Sequence, residues 1–116
     1  DEWILTDDRL RASDSVFVIG DSAWISIDGK VASKTAAEAE HQAKHMARNL
    51  KRLAEGREPL RYPILASTDA SAQVALISIG REHAVGVYGG MCITMSTRLM
   101  YALKYWIDKS FINRFK

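Results

Sequence analysis

Val16 to Asp21, Val-Phe-Val-Ile-Gly-Asp, sets four apolar residues of strand type before a glycine and a carboxylate. Two readings satisfy that pattern. It is a buried strand leaving a core, or a strand that delivers the Asp21 carboxylate to a ligand at its carboxyl end. In the second case Gly20 lets backbone approach the ligand, and Asp21 accepts hydrogen bonds from hydroxyls. The chain also has three histidines and one cysteine. His41 either donates a proton to a bound acceptor or is simply solvated on a helix turn, and His45 and His83 have less to suggest a role. Cys92 has no partner for an internal disulfide and no zinc-type Cys/His spacing around it. Its apolar setting suits a small packing residue, and no metal site is expected.

The elements that would position these groups follow from periodicity. Trp3 to Leu5 is a short apolar run, Val16 to Ile19 reads as a buried strand, and Asp28-Gly29-Lys30 marks a turn within an excursion or small hairpin. Thr35 with Glu38 three residues later is a capping box. Ala36, Ala39, Ala43, Met46, Ala47, Leu50 and Leu53 then recur at helical spacing until Gly56, which predicts an amphipathic helix over 36–55 with an alanine-rich apolar face. Tyr62 to Leu65, Gln73 to Ile79 and Ala84 to Val87 read as strands, the last two joined by a turn at 80–83, and Gly89-Gly90 breaks the sheet. In the tail, Met95, Leu99, Ala102, Leu103 and Trp106 make an apolar helical stripe, widened by Met100, Tyr105 and Ile107. Arg98, Lys104, Lys109, Arg114 and Lys116 flank it, with Asp108 the single acid. Such a helix lies in a membrane interface, or docks on its own sheet or a second subunit.

The chain of 116 residues with formal charge +2 suits one modest core and gives little reason for nucleic-acid binding, since no helix carries a concentrated basic face. It shows no signal peptide and no uninterrupted apolar run of membrane-spanning length. It starts at Asp1 without an initiator Met, which suggests a processed product or part of something longer.

In chain order these pieces resemble the C-terminal part of a FAD-dependent pyridine nucleotide-disulfide oxidoreductase superfamily protein. The likeness is closest to type II NADH:quinone dehydrogenase. "SDSVFVIGDSA" looks like the second flavin fingerprint, and "KTAAEAEHQAKHMARNLKRL" resembles the following helix, with family pattern Thr-Ala-Gln-x-Ala-x-Gln-Gln-Gly. "LISIGREHAVGVYGG" is similar to the family's strand-turn-strand, and the apolar helix before "INRFK" to its membrane-facing tail. Ala37 and His41 stand where the family has glutamines, Gln42 matches one, and Ala43 stands at the glycine.

The resemblance implies FAD as cofactor of an intact parent flavoprotein, NAD(P)H as its substrate and a quinone as its acceptor. Asp21 would bind the ribityl chain beside Gly20. The backbone at Ala36, Ala37 and Ala39 would lie against the isoalloxazine, where the helix N-terminus stabilises negative charge on the reduced ring. His41 and Gln42 become acceptor-site candidates, and Leu99, Leu103, Trp106, Ile107, Phe111, Lys104, Lys109 and Arg114 a membrane or partner surface. No GxGxxG fingerprint occurs, so neither the adenosine half of a FAD site nor an NAD site is encoded and no catalytic residue is expected in these residues. The expected fold is α+β: a central amphipathic helix packed on a small, mostly antiparallel sheet, with a C-terminal amphipathic helix. It is read as a fragment of a FAD/NAD(P)-binding enzyme with two Rossmann domains. Residues 1–56 would close its FAD-binding domain, with strand 16–19 and helix 36–55, and 57–116 would form the hairpin region and terminal helix. Its partners would be the remainder of the parent, a second copy paired through open strand edges, and the inner face of a membrane reached from the cytoplasm. The other reading is a non-enzymatic dimerisation or membrane-docking module.

Overall fold

The computed structural model describes residues 3–69, 74–94 and 96–115. Its first strands are short because each meets only a local partner. β1 (Ile4–Leu5) pairs in parallel with β4 (Ala23–Trp24), and β2 (Arg11–Ser13) pairs antiparallel with β3 (Val16–Phe17). Asp7 shapes the entry to β2: its Oδ1 accepts from the N–H groups of Arg9 and Arg11, both at 2.8 Å, and closes a tight turn. The turn puts Leu10 at φ 66°, a left-handed conformation that costs a branched residue about 1–2 kcal/mol. Full burial of the Leu10 side chain offsets that cost.

This geometry corrects the expectation for Val16 to Ile19. Only Val16 and Phe17 are paired, and Val16 is 49% exposed. Phe17, Val18 and Ile19 are partly buried against a core of Leu10, Ala23, Ile25, Ile27, Ala32, Met46 and Tyr62. The strand turns back on residues 11–13 through the turn at Asp14 and Ser15, and among the described residues it pairs with that segment alone. Gly20–Ser22 then forms a 3-10 turn. β5 (Ser26–Ile27) and β6 (Lys30–Val31) close a hairpin on Asp28 and Gly29, both with positive φ, as the Asp-Gly signal requires.

α1 spans Ala36–Ala54. Thr35 caps its start by accepting from Glu38 N–H at 3.3 Å. Gly56, at φ 67°, ends it: Gly56 N–H reaches Leu53 O and Arg57 N–H reaches Arg52 O, the paired bonds of a Schellman motif. The inward face is not the alanine stripe. Glu38, Gln42, His45, Met46 and Asn49 are buried, while Ala36, Ala43, Ala47 and Leu50 are exposed. A polar stripe at positions 38, 42, 45 and 49 therefore faces the protein.

The reason lies in residues 57–66. Pro59 and Pro63 remove two ladder donors, so Tyr62 to Leu65, expected as a strand, runs extended without a strand partner. Its backbone is met in part by main chain, with Tyr62 N–H donating to Asp8 O at 2.7 Å and Ala66 O accepting from Ser33 N–H at 2.8 Å, and in part by side chains of α1. Asn49 accepts from Leu60 N–H at 2.8 Å and donates to Leu60 O at 2.9 Å, while Glu38 accepts from Ala66 N–H at 2.7 Å. The segment thus runs antiparallel along the helix, from Asn49 back to Glu38. Two compact units result, Asp1–Asp69 and Ala70–Lys116, so residues 57–69 lie with the first unit rather than with the C-terminal region.

In the second unit β7 (Val74–Ser78), β8 (Ala84–Tyr88) and β9 (Met91–Ile93) form an antiparallel sheet in the order β7-β8-β9. Gly89-Gly90 does not end this sheet. Both glycines have positive φ and make the two-residue turn into β9, with Tyr88 opposite Met91. Cys92, expected as a packing residue, is exposed on β9. α2 (Thr97–Ile112) packs on this sheet, with Met100 against Gly86, and a 3-10 turn follows at Asn113–Phe115. The fold is α+β, but the helix lying on the three-stranded sheet is the C-terminal one, not the central one.

The tail's apolar stripe faces outward. Thr97, Met100, Tyr101 and Lys104 are the half-buried positions of α2, whereas Leu99, Leu103 and Trp106 are 61%, 42% and 67% exposed. Met95 lies outside the described residues. No helix among the described residues is long and apolar enough to cross a membrane.

Candidate functional site

Gln42 joins the two pieces that the sequence marks out separately. Its Oε1 accepts from Gly20 N–H at 2.6 Å, which pins the Gly20–Ser22 turn to the N-terminal half of α1. Gly20 sits at φ 71°, and a Cβ built there meets nothing within 4 Å. The glycine is required by conformation, and the face of the turn is open. Asp21, next in the turn, is exposed, and so are Ala36 and Ala37 in the first turn of α1, while Ala39 is half-buried. The N–H groups of Ala36 and Ala37 are first-turn groups without an intrahelical acceptor. Lys34, just before the cap, donates to Ala23 O and holds its ammonium 5.4 Å from the Trp3 ring, which in turn stacks on Trp24 at 5.2 Å.

Behind that surface lies a buried polar cluster. The Tyr62 hydroxyl donates to Glu38 Oε1 at 2.5 Å, and His41 Nδ1 lies 3.0 Å from the same hydroxyl. Burial, reinforced by the hydrogen bond and the charge of Glu38, pushes the Tyr62 hydroxyl far above its ordinary range, against the opposing effect of Gln42. Tyr62 therefore stays protonated and serves as a fixed donor to the carboxylate. One turn further along, His45 Nε2 is 3.0 Å from Leu60 O, and its ring meets Tyr62 edge-on with centroids 5.2 Å apart.

The acceptor-site candidates thus occupy different environments. Gln42 is 2% exposed with its Oε1 held by Gly20 N–H, so it builds the site rather than lining it. His41 is half-buried with one ring nitrogen engaged. His83 belongs to the second unit, where its Nδ1 contacts Thr97 Oγ1 at 2.6 Å. Glu38, Asn49 and Tyr62 are absent from the sequence-derived site. The signal that could have found them is the spacing 38, 42, 45, 49, which places four polar residues on one helix face.

A separate groove of about 310 Å³ is lined by Ile27, Asp28, Lys30, Arg61, Tyr62, Pro63 and Ile64. Arg61 spans its rim, bonded to Asp8 at 3.1 Å and Asp28 at 2.5 Å, and its hydrogen bond holds the Asp28 carboxyl below the usual range. Neither Asp21 nor the first turn of α1 lines it. No group of three or more His, Cys, Asp or Glu side chains suited to a metal occurs among the described residues.

The surface residues of α2 share an outward face. Ile107 and Phe111 are 44% and 39% exposed beside Leu103 and Trp106. The cations fold back on the helix: Lys104 pairs with Asp108 at 3.1 Å, Lys109 lies 5.7 Å from the Tyr105 ring and Arg114 5.8 Å from that of Phe111. No protein-family model matches this chain, and no curated protein matches it.

Proposed function

We propose that this chain supplies one wall of a flavin site in a FAD-dependent NAD(P)H dehydrogenase, with a quinone as the acceptor. The observation that carries the reading is the Gly20–Gln42 hydrogen bond. It holds an open Gly-Asp turn and the free N-terminal turn of a capped helix in one compact unit. The donor set suits a flavin: a carboxylate for ribityl hydroxyls, an open glycine face, and first-turn N–H groups beside the small side chains of Ala36 and Ala37. The cofactor supplies the two-electron chemistry when bound. The chain's own residues bind and orient it through Asp21 and favour negative charge at the helix N-terminus. The adenosine and nicotinamide sites belong to the rest of the parent enzyme.

The test is expression with the upstream coding sequence. The extended protein is expected to purify yellow with bound FAD and to oxidise NADH or NADPH, whereas the 116-residue chain binds FAD weakly or not at all. Asp21→Ala in the extended protein is expected to lower flavin content. A colourless, inactive extended protein refutes the reading.

A second reading, a docking module without enzymatic activity, draws on the outward apolar face of α2. Apolar side chains flanked by folded-back cations suit an anionic lipid interface. Co-sedimentation with vesicles tests it. Absent lipid binding together with concentration-dependent dimerisation would assign the face to a second copy.

A further inference from the structure

We infer that His41 is a proton-exchange site working through its outward nitrogen, Nε2, with Tyr62 as its positioning residue. The reaction assigned to it rests on the flavin reading, while the geometry rests on hydrogen bonds alone. Tyr62 has one hydroxyl proton, and Glu38 accepts it at 2.5 Å. The 3.0 Å contact between the Tyr62 oxygen and His41 Nδ1 is therefore donated by Nδ1–H. This holds for both the neutral and the charged ring, so Nδ1 keeps its proton and only Nε2 gains or loses one. Nε2 has no hydrogen-bond partner among the described residues and is not among the buried atoms that lack one. It meets solvent.

The neighbouring charges are accounted for. Glu38 faces His41 through Tyr62, and Lys44 on the same helix is paired with Glu40. Arg61 on the extended segment is held by Asp8 and Asp28, and His45 packs against the edge of Tyr62. A ring whose inner nitrogen is fixed by a buried partner, leaving the other as the single exchanging atom, is how general acid–base sites set a tautomer. Gln42, next in sequence, ties the same helix turn to Gly20, so His41 belongs to the hydrogen-bonded unit that carries the Gly-Asp turn.

The proton has a defined destination. A quinone that takes a hydride equivalent, two electrons and one proton, from a reduced flavin is left with one oxyanion. With flavin and quinone bound, the His41 imidazolium would give that oxygen its Nε2 proton: the N–H bond would break, an O–H bond would form, and the neutral ring would recover a proton from water.

Long-range ¹H–¹⁵N NMR of the imidazole rings in the 116-residue chain reads the tautomer directly. Neutral His41 is expected to be protonated on Nδ1. Tyr62→Phe keeps the ring but removes the acceptor, and is expected to move His41 toward the Nε2–H form while His83 stays unchanged. An Nε2–H tautomer in the wild-type chain, or one that Tyr62→Phe leaves unmoved, overturns the geometry; the wild-type spectrum decides even if the variant unfolds. In the flavin-loaded extended protein, rapid mixing with a water-soluble benzoquinone tests the role. His41→Asn is expected to slow flavin reoxidation about a hundredfold relative to flavin reduction. Reoxidation at the wild-type rate overturns the proton-exchange role. An extended protein that holds no flavin refutes the flavin reading and with it the assigned reaction, while the NMR result judges the fixed tautomer independently.

Discussion

Replacing Glu38 with Gln exchanges one carboxylate oxygen for an amide nitrogen at a fully buried position. The carboxylate accepts from the Tyr62 hydroxyl at 2.5 Å and from Ala66 N–H at 2.7 Å. Hydrogen bonds to a charged acceptor contribute about 1.5–3 kcal/mol each, and a neutral replacement about 1 kcal/mol. Gln retains one acceptor and turns an N–H toward the other donor, a loss of roughly 2–5 kcal/mol. Removing a buried charge returns part of its desolvation cost, which leaves a net destabilisation of about 2 kcal/mol. For a unit the size of Asp1–Asp69 this corresponds to a fall in Tm of roughly 8–16 °C. A capping box predicts otherwise, because Gln serves at that position as well as Glu. Urea unfolding followed by tryptophan fluorescence measures the difference. A Trp106→Phe background confines the signal to Trp3 and Trp24, which stack within the first unit. A change below about 0.5 kcal/mol would refute the inward-facing carboxylate.

Three further outcomes follow from the same contacts. The raised Tyr62 pKa stabilises the fold fully below the unfolded-state value of about 10, and that contribution is lost as pH rises beyond it, at up to about 1.4 kcal/mol per pH unit; Tyr62→Phe should remove this slope when urea midpoints are compared between pH 9 and 11. Asp7→Ala frees Leu10 from its left-handed turn and should cost about 1–2 kcal/mol by the same assay, with loss of the turn NOEs across residues 7–11 in NMR spectra. Leu103→Glu or Trp106→Glu should weaken binding to phosphatidylserine vesicles about tenfold or more without altering far-UV circular dichroism, because both side chains lie off the sheet-facing side of α2; unchanged co-sedimentation would take the lipid surface away from this face.

Local signals in the sequence suffice where local chemistry decides the structure. Thr35 and Gly56 bound α1 because a cap hydroxyl and a left-handed glycine act on backbone groups a few residues away. Asp28-Gly29 makes its hairpin for the same reason. Gly89-Gly90 reads in the sequence as the end of the sheet, yet two glycines with positive φ are what a two-residue hairpin needs, and β9 follows. Gly20 and Asp21 are legible as the end of an apolar run, but the 3-10 turn they form and the bond from Gln42, 22 residues away, are not.

The sequence by itself determined where α1 begins and ends, that the chain is α+β, and that the tail forms an amphipathic helix. Tertiary structure decided which face of each helix is covered. In α1 the alanines lost the interior to Glu38, Gln42, His45 and Asn49, because the neighbouring segment carries two prolines and needs side-chain partners for its backbone. In α2 the half-buried positions are Thr97, Met100, Tyr101 and Lys104, so of the apolar stripe Met100 turns inward while Leu99, Leu103 and Trp106 stay outside. Periodicity reports that a helix has two kinds of surface. Which of them meets the protein depends on the hydrogen-bonding and packing needs of residues far away in the chain.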